Sequence, residues 1–200
     1  MQLRRLTRSR LGVPLTDDFF TDAVVDDNVN LAVQAIEAEY RWPWAERVDA
    51  APITSTTPDI PIPTGWRATR AVFDGQTELY SVAPGDILGM ADFTGDPRVW
   101  CPLNDAIAVR PVTIDDRTLT HYWYRQPAWL SNDSDHPDMP DQFMGAIVSK
   151  AAELLSSREG ANTDAQRHAI DYQEWITRMR RDVRRTTPPT RVRVRPGGWI

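Results

Sequence analysis

The chain has 200 residues, a formal net charge of −5 and one cysteine, Cys101, a length of one domain or one and a half at about 150 residues each. One thiol and three histidines exclude a disulfide-stapled scaffold and a Cys/His zinc module, and no window approaches the ~18 consecutive apolar residues of a membrane span. The charge is uneven, +4 over residues 1–10, +7 over 178–200 and −16 between them, as expected where basic ends reach a different surface from an acidic body.

Met1 to Arg10 is basic but is followed by no apolar run, so no signal peptide is expected and the chain reads as one that stays inside a cell until assembled. Lys150 is the only lysine. Arginine suits bidentate contacts to carboxylates and phosphates, although a GC-rich genome would give the same bias. After a turn at Asp17–Phe20 comes the first periodic segment, Thr21 to Tyr40. Val25, Val29, Ala32, Ile36 and Tyr40 share one helical face. Thr21 suits the N-cap and Asp22 the first turn, and Pro43 stops the helix near Arg41.

From Arg47 to Arg125 the pattern predicts an antiparallel module of four to six strands. Pro52–Pro63 reads as an extended linker or edge strand. Trp66–Phe73 and Gln76–Val82 flank Asp74-Gly75, which suits a tight hairpin turn, and Pro84-Gly85-Asp86 ends that hairpin. A second pair, Ile107–Ile114 and Thr118–Arg125, flanks Asp115-Asp116-Arg117, with Leu119, His121 and Trp123 on one strand face.

Two further helices are predicted over Asp141–Ser157 and Thr163–Arg185, the second with Ala165, Ala169, Tyr172, Ile176 and Met179 on one stripe. The short connector Glu159–Asn162 makes them antiparallel neighbours. The tail alternates Arg191-Val192-Arg193-Val194-Arg195 between Pro188-Pro189 and Pro196-Gly197-Gly198, a β-competent stretch with no adjacent partner. The fold class is therefore α+β, a small bundle of three main helices with an inserted antiparallel module. The expected boundaries are 1–46 and 126–185 for a helical body, 47–125 for the β module and 186–200 for an extended basic tail.

Candidate chemistry is sparse. Asn132-Asp133-Ser134-Asp135-His136-Pro137-Asp138 has alternating carboxylates, but an EF-hand would need Gly and Glu where Asp138 and Met144 stand. A solvated turn with Asp141 capping the next helix is preferred. His121, His136 and His168 share no motif and read as surface or half-buried residues, and Cys101, between Trp100 and Pro102, reads as inert. There is no phosphate-binding glycine loop, nucleophile elbow or His-Glu-x-x-His, so no catalytic residue, cofactor or metal is expected. The eight tryptophans read mainly as core and junction packing, with partner anchoring as the alternative.

The order of these features resembles the head-to-tail adaptor (head-completion) proteins of tailed bacteriophages. The resemblance runs from Arg10 to about Arg195. It rests on Arg10-Leu11-Gly12 before a first helix, on Tyr40-Arg41-Trp42-Pro43-Trp44 at that helix's end, and on a proline-rich entry into a β module. It continues with Tyr122-Trp123-Tyr124-Arg125-Gln126-Pro127, the acidic loop Leu130–Pro140, two helices and a basic tail. The β insertion is larger than minimal helical adaptors carry.

That resemblance implies a structural virion protein at the head–tail interface, assembled in the bacterial cytoplasm. It implies a ring of about twelve copies beneath the portal protein, extending the channel for packaged DNA and offering a platform to the next tail or stopper protein. Arg184, Arg185, Arg191, Val192, Arg193, Val194, Arg195 and Trp199 are the candidate contacts to portal or a neighbouring subunit. Residues 186–200 are expected to fold on docking, the alternating stretch adding to a sheet edge. The alternative is a nucleic-acid-binding module using the same arginines, and an orphan enzyme on the β module is a third reading.

Overall fold

Residues 2–186 are described by the computed structural model, and its contacts sort them into two units. The helical unit takes Met1–Ile36, Leu130–Asp135 and the chain from Met139. It holds α1 (Gln2–Leu11), most of α2 (Asp22–Glu39), α4 (Met144–Glu159) and α5 (Asn162–Thr186). Val25, Val29, Ala32 and Ile36 of α2 are all buried, as their spacing requires. Thr21 caps the helix, its hydroxyl accepting from the Val24 N–H at 3.4 Å. The 3-10 turn Pro43–Ala45 follows once α2 has ended.

Gly160, with φ +83°, closes α4 in the left-handed conformation, its N–H reaching Ser156 and Ser157, and the Ala161 N–H also returns to the Ser156 carbonyl. Beyond this cap α5 packs back on α4. Its Ala165, Tyr172, Ile176, Met179 and Val183 are buried, as are Ala146, Ile147, Ala151 and Leu155 of α4. The Trp175 ring lies so close to Gly145 that a Cβ there would collide with it. Helix α1 was not expected, since residues 1–10 have no apolar stripe. It packs on α4 and buries Thr7 and Arg8.

The second unit, Glu37–Trp129 with His136–Asp138, contains two four-stranded sheets. Its strands are β1 (Glu46–Ile53), β2 (Ile60–Pro61), β3 (Trp66–Asp74), β4 (Thr77–Glu78), β5 (Tyr80–Ser81), β6 (Val99–Leu103), β7 (Ala106–Arg110) and β8 (Arg117–Arg125), with α3 (Pro84–Leu88) between β5 and β6. One sheet runs β1-β8-β3-β4, the other β2-β7-β6-β5. Among the described residues the protein is thus α+β with five helices and eight strands, more strands than the four to six expected. The 186–200 tail falls almost wholly outside the described residues.

Three strand expectations need correction. The Asp74-Gly75 turn does form, with Gly75 at φ +58° and Phe73 opposite Glu78. The returning segment, however, splits at buried Leu79, and its second half joins the other sheet, where β5 pairs parallel with β6. Pro84-Gly85-Asp86 opens α3 instead of merely ending a hairpin. Third, the stretches Ile107–Ile114 and Thr118–Arg125 are not partners. Pro111 lacks an N–H and ends β7, which pairs with β6 and β2, while β8 lies between β1 and β3. Leu119, His121 and Trp123 do share a buried face. Ala51, Val72 and Leu119 from one sheet meet Ile60, Trp100, Ile107 and Val109 from the other in one core, and truncating such a side chain costs about 2–5 kcal/mol.

Candidate functional site

Arginine placement decides what the helical unit can offer a partner, and the two basic ends differ. On α1, Arg4 grips Asp26 with two bonds, Nε to Oδ1 at 2.8 Å and Nη2 to Oδ2 at 2.5 Å, and reaches Asp22 at 2.9 Å and Asp133 at 3.3 Å. The Asp26 hydrogen bond above all, with the charges of Asp26, Asp22 and Asp133, holds the Arg4 guanidinium above its ordinary value. Arg8 is 2% exposed. It donates to the Phe20 carbonyl at 2.6 Å and to Asp22 at 2.8 Å, the guanidinium enclosed and the Asp22 carboxylate open to solvent. Arg10 pairs with Asp171 of α5. The basic N-terminus therefore does not reach a different surface, because three of its four charges are matched by acids of its own unit.

At the other end α5 presents Arg178, Arg181, Arg184 and Arg185, all exposed. Arg178 lies over the Trp175 ring at 5.2 Å. Arg181, Arg184 and Arg185 have no carboxylate partner among the described residues. Arg184 and Arg185 occupy the last turn, where cations oppose the negative end of the helix dipole. These are the two expected contact residues that the structure places. Arg191, Val192, Arg193, Val194, Arg195 and Trp199 lie outside the described residues.

Within the 132–138 stretch the carboxylates are occupied by the protein itself. Asp135 Oδ2 accepts from the Ser131 and Asn132 N–H groups, each at 2.8 Å. Asp138 takes Arg47 at 3.1 Å and also Arg125. Asp141 does not cap α4: it sits inside the 3-10 turn Asp141–Phe143, and Phe143 precedes the helix without a side-chain cap bond. The loop is instead tied to α2 by Asn30, whose Oδ1 accepts the Leu130 N–H at 2.7 Å while its Nδ2 donates to the Leu130 carbonyl at 3.0 Å. No sequence pattern marked Asn30; an amide on the inner side of a helix is the only hint.

Two histidines are more buried than expected. His121 is fully enclosed, with Nε2 3.0 Å from the Thr69 hydroxyl, which also accepts from Trp66 Nε1 at 3.1 Å. Burial pushes its pKa down and the Asp49 charge opposes that. His168, enclosed on α5, is lowered by burial and then by the charge of Arg10. His136 is exposed. Cys101 is buried, and desolvation pushes its thiol up, as its apolar neighbours led one to expect. Glu37 is raised by burial even though Trp44 Nε1 donates to it at 2.7 Å. Trp42, Trp100 and Trp123 are buried, whereas Trp129 is exposed, so packing accounts for several of the tryptophans. Among the described residues no three His, Cys, Asp or Glu side chains could hold a metal together, and no helix is long and apolar enough to cross a membrane.

Compared with known families, the chain matches the one described as SU10 adaptor protein, over residues 1–195. No curated protein matches it significantly.

Proposed function

Because the chain belongs to the SU10 adaptor protein family, a family of phage head-to-tail adaptors, we propose that it forms a ring of about twelve copies beneath the portal. The ring extends the channel for packaged DNA and gives the next tail or stopper protein its platform. The helical body, 1–46 and 126–185, makes the ring wall. The basic segment from Arg184 through Arg195 and Trp199 reaches the portal or a neighbouring subunit.

The family match over nearly the whole chain carries this reading, and the charge distribution supports it. A −16 span between the basic ends repels DNA, so a genome can slide past without sticking. Electron microscopy of negatively stained protein, with and without purified portal, tests it. Closed rings or decorated portals are expected; a monomer indifferent to portal overturns it. Exposed Arg181, Arg184 and Arg185 favour a second reading, nucleic-acid binding by the α5 end. Micromolar DNA affinity with a steep salt dependence would select that reading instead.

A further inference from the structure

The outer face of α5 is a continuous stripe with nothing described against it. Ile170, Glu174, Thr177, Arg181, Arg184 and Arg185 recur at steps of three, four and one, which puts them on one side of the helix. The buried residues Tyr172, Ile176, Met179 and Val183 occupy the opposite side. The stripe begins apolar, with Ile170 63% exposed, and ends basic. An occupant with an apolar contact at Ile170 and acids at the basic end complements it. The chain's own residues 187–200 carry three arginines and no acid, so like charge opposes their folding back on it.

A surface of the required chemistry exists in the sheet unit. The segment after α3 is stitched to the segment after β7, the Val112 N–H donating to the Phe93 carbonyl at 2.8 Å and the Gly95 N–H to the Val112 carbonyl at 2.9 Å. The two stretches expose Phe93 (60%) and Ile114 (68%) beside exposed Asp92, Asp115 and Asp116. Asp96, by contrast, is taken by Arg117.

We propose that the α5 stripe of one copy docks on the Phe93–Ile114 corner of the next, Ile170 meeting the two apolar side chains and Arg181, Arg184 and Arg185 meeting the aspartates. The contact is head-to-tail, since the two patches differ, and such a contact generates a ring when its rotation closes. This rests on the ring reading above and assigns its interface.

The test is disulfide capture in the ring or portal-bound assembly. Buried Cys101 leaves the background silent. The doubly substituted chain I170C/F93C should oxidise to a ladder extending beyond dimers, whereas either single variant should stay monomeric and a mixture of the two singles should stop at dimers. Charge reversal, R181E with R184E, should lower assembly tenfold or more, and adding D92R with D115R should restore it. Rings that form without these crosslinks, a disulfide closing within one chain, or reversals that leave assembly unchanged overturn the interface while the ring reading stands. A stripe that becomes accessible to thiol reagents at I170C only after removal of residues 187–200 overturns it in favour of the chain's own tail. A wild-type chain that assembles under no condition, portal included, overturns the ring reading and this contact with it.

Discussion

Helix α1 and the end of α5 are both rich in arginine, yet their charges serve opposite ends. Arg4, Arg8 and Arg10 are consumed by Asp26, Asp22, Asp133 and Asp171 of the same unit. Arg181, Arg184 and Arg185 meet no carboxylate among the described residues. A guanidinium spent on acceptors of its own unit belongs to the fold, and removing an enclosed one such as Arg8 leaves the buried Phe20 carbonyl without its donor. An exposed one costs little to remove and stays available to a partner. Net charge does not distinguish the two cases.

The sharpest contrast is in stability. Arg8→Met removes charge-assisted bonds to the Phe20 carbonyl and Asp22 from a side chain that is 2% exposed. A loss of about 2–3 kcal/mol is expected, read from urea unfolding with an unchanged slope. If Arg8→Met and Arg184→Met unfold at the same urea concentration, the division between structural and available arginines fails.

Next in size is the response to acid, which reports on enclosed groups in both units. His121 and His168 have folded-state pKa values below the ordinary one, so the unfolded chain takes up their protons more readily. Their contribution to stability is present above about pH 6.5 and is lost as pH falls through the lowered folded-state values. Glu37, raised by burial, works the other way: its contribution is present below the usual carboxylate range and lost as pH rises through the raised value. The two histidines should therefore contribute a fall in unfolding free energy as pH drops below about 6.5, and His121→Asn should reduce that contribution. A slope unchanged by His121→Asn would remove this histidine from the account.

A smaller effect ties α1 to α5. The Arg10 charge helps hold the His168 pKa down, so Arg10→Gln should raise it, as followed by the histidine ring signals across an NMR titration. No movement would mean that Arg10 and Asp171 already cancel at His168.

What the sequence discloses follows physical range. The helical stripe through Val25, Val29, Ala32 and Ile36, the Thr21 cap and the turn at Asp74-Gly75 depend on residues a few positions apart, and each is where local chemistry puts it. Helix α1 escaped because it buries Thr7 and Arg8 in place of an apolar stripe, and its acids are supplied from Asp22, Asp26, Asp133 and Asp171. The partners of β8 escaped for a similar reason. Adjacency favours β7, but Pro111 closes that strand and β1, some seventy residues earlier, takes the place. For the candidate contacts, composition singled out the basic C-terminal stretch, yet only the fold separates Arg184 and Arg185, which are exposed, from the equally basic α1, which is spent internally.

The smallest expected change in stability falls on that exposed pair. Arg184→Ala with Arg185→Ala breaks no carboxylate pairing among the described residues, and both side chains are exposed while Val183 beside them is buried, so unfolding should move by no more than about 0.5 kcal/mol. Binding should respond much more, because a partner that desolvates these guanidiniums loses its charge-assisted bonds when they go. In a portal or self-assembly assay the doubly substituted chain should bind at least tenfold more weakly in low salt, and the gap should narrow as added salt screens the exposed charges. The pairs of Arg4 and Arg8, being partly enclosed, should give an unfolding midpoint that changes little over the same salt range. A variant that binds as tightly as the parent would leave Arg184 and Arg185 as solvated ends of a helix and move the docking surface elsewhere on the chain.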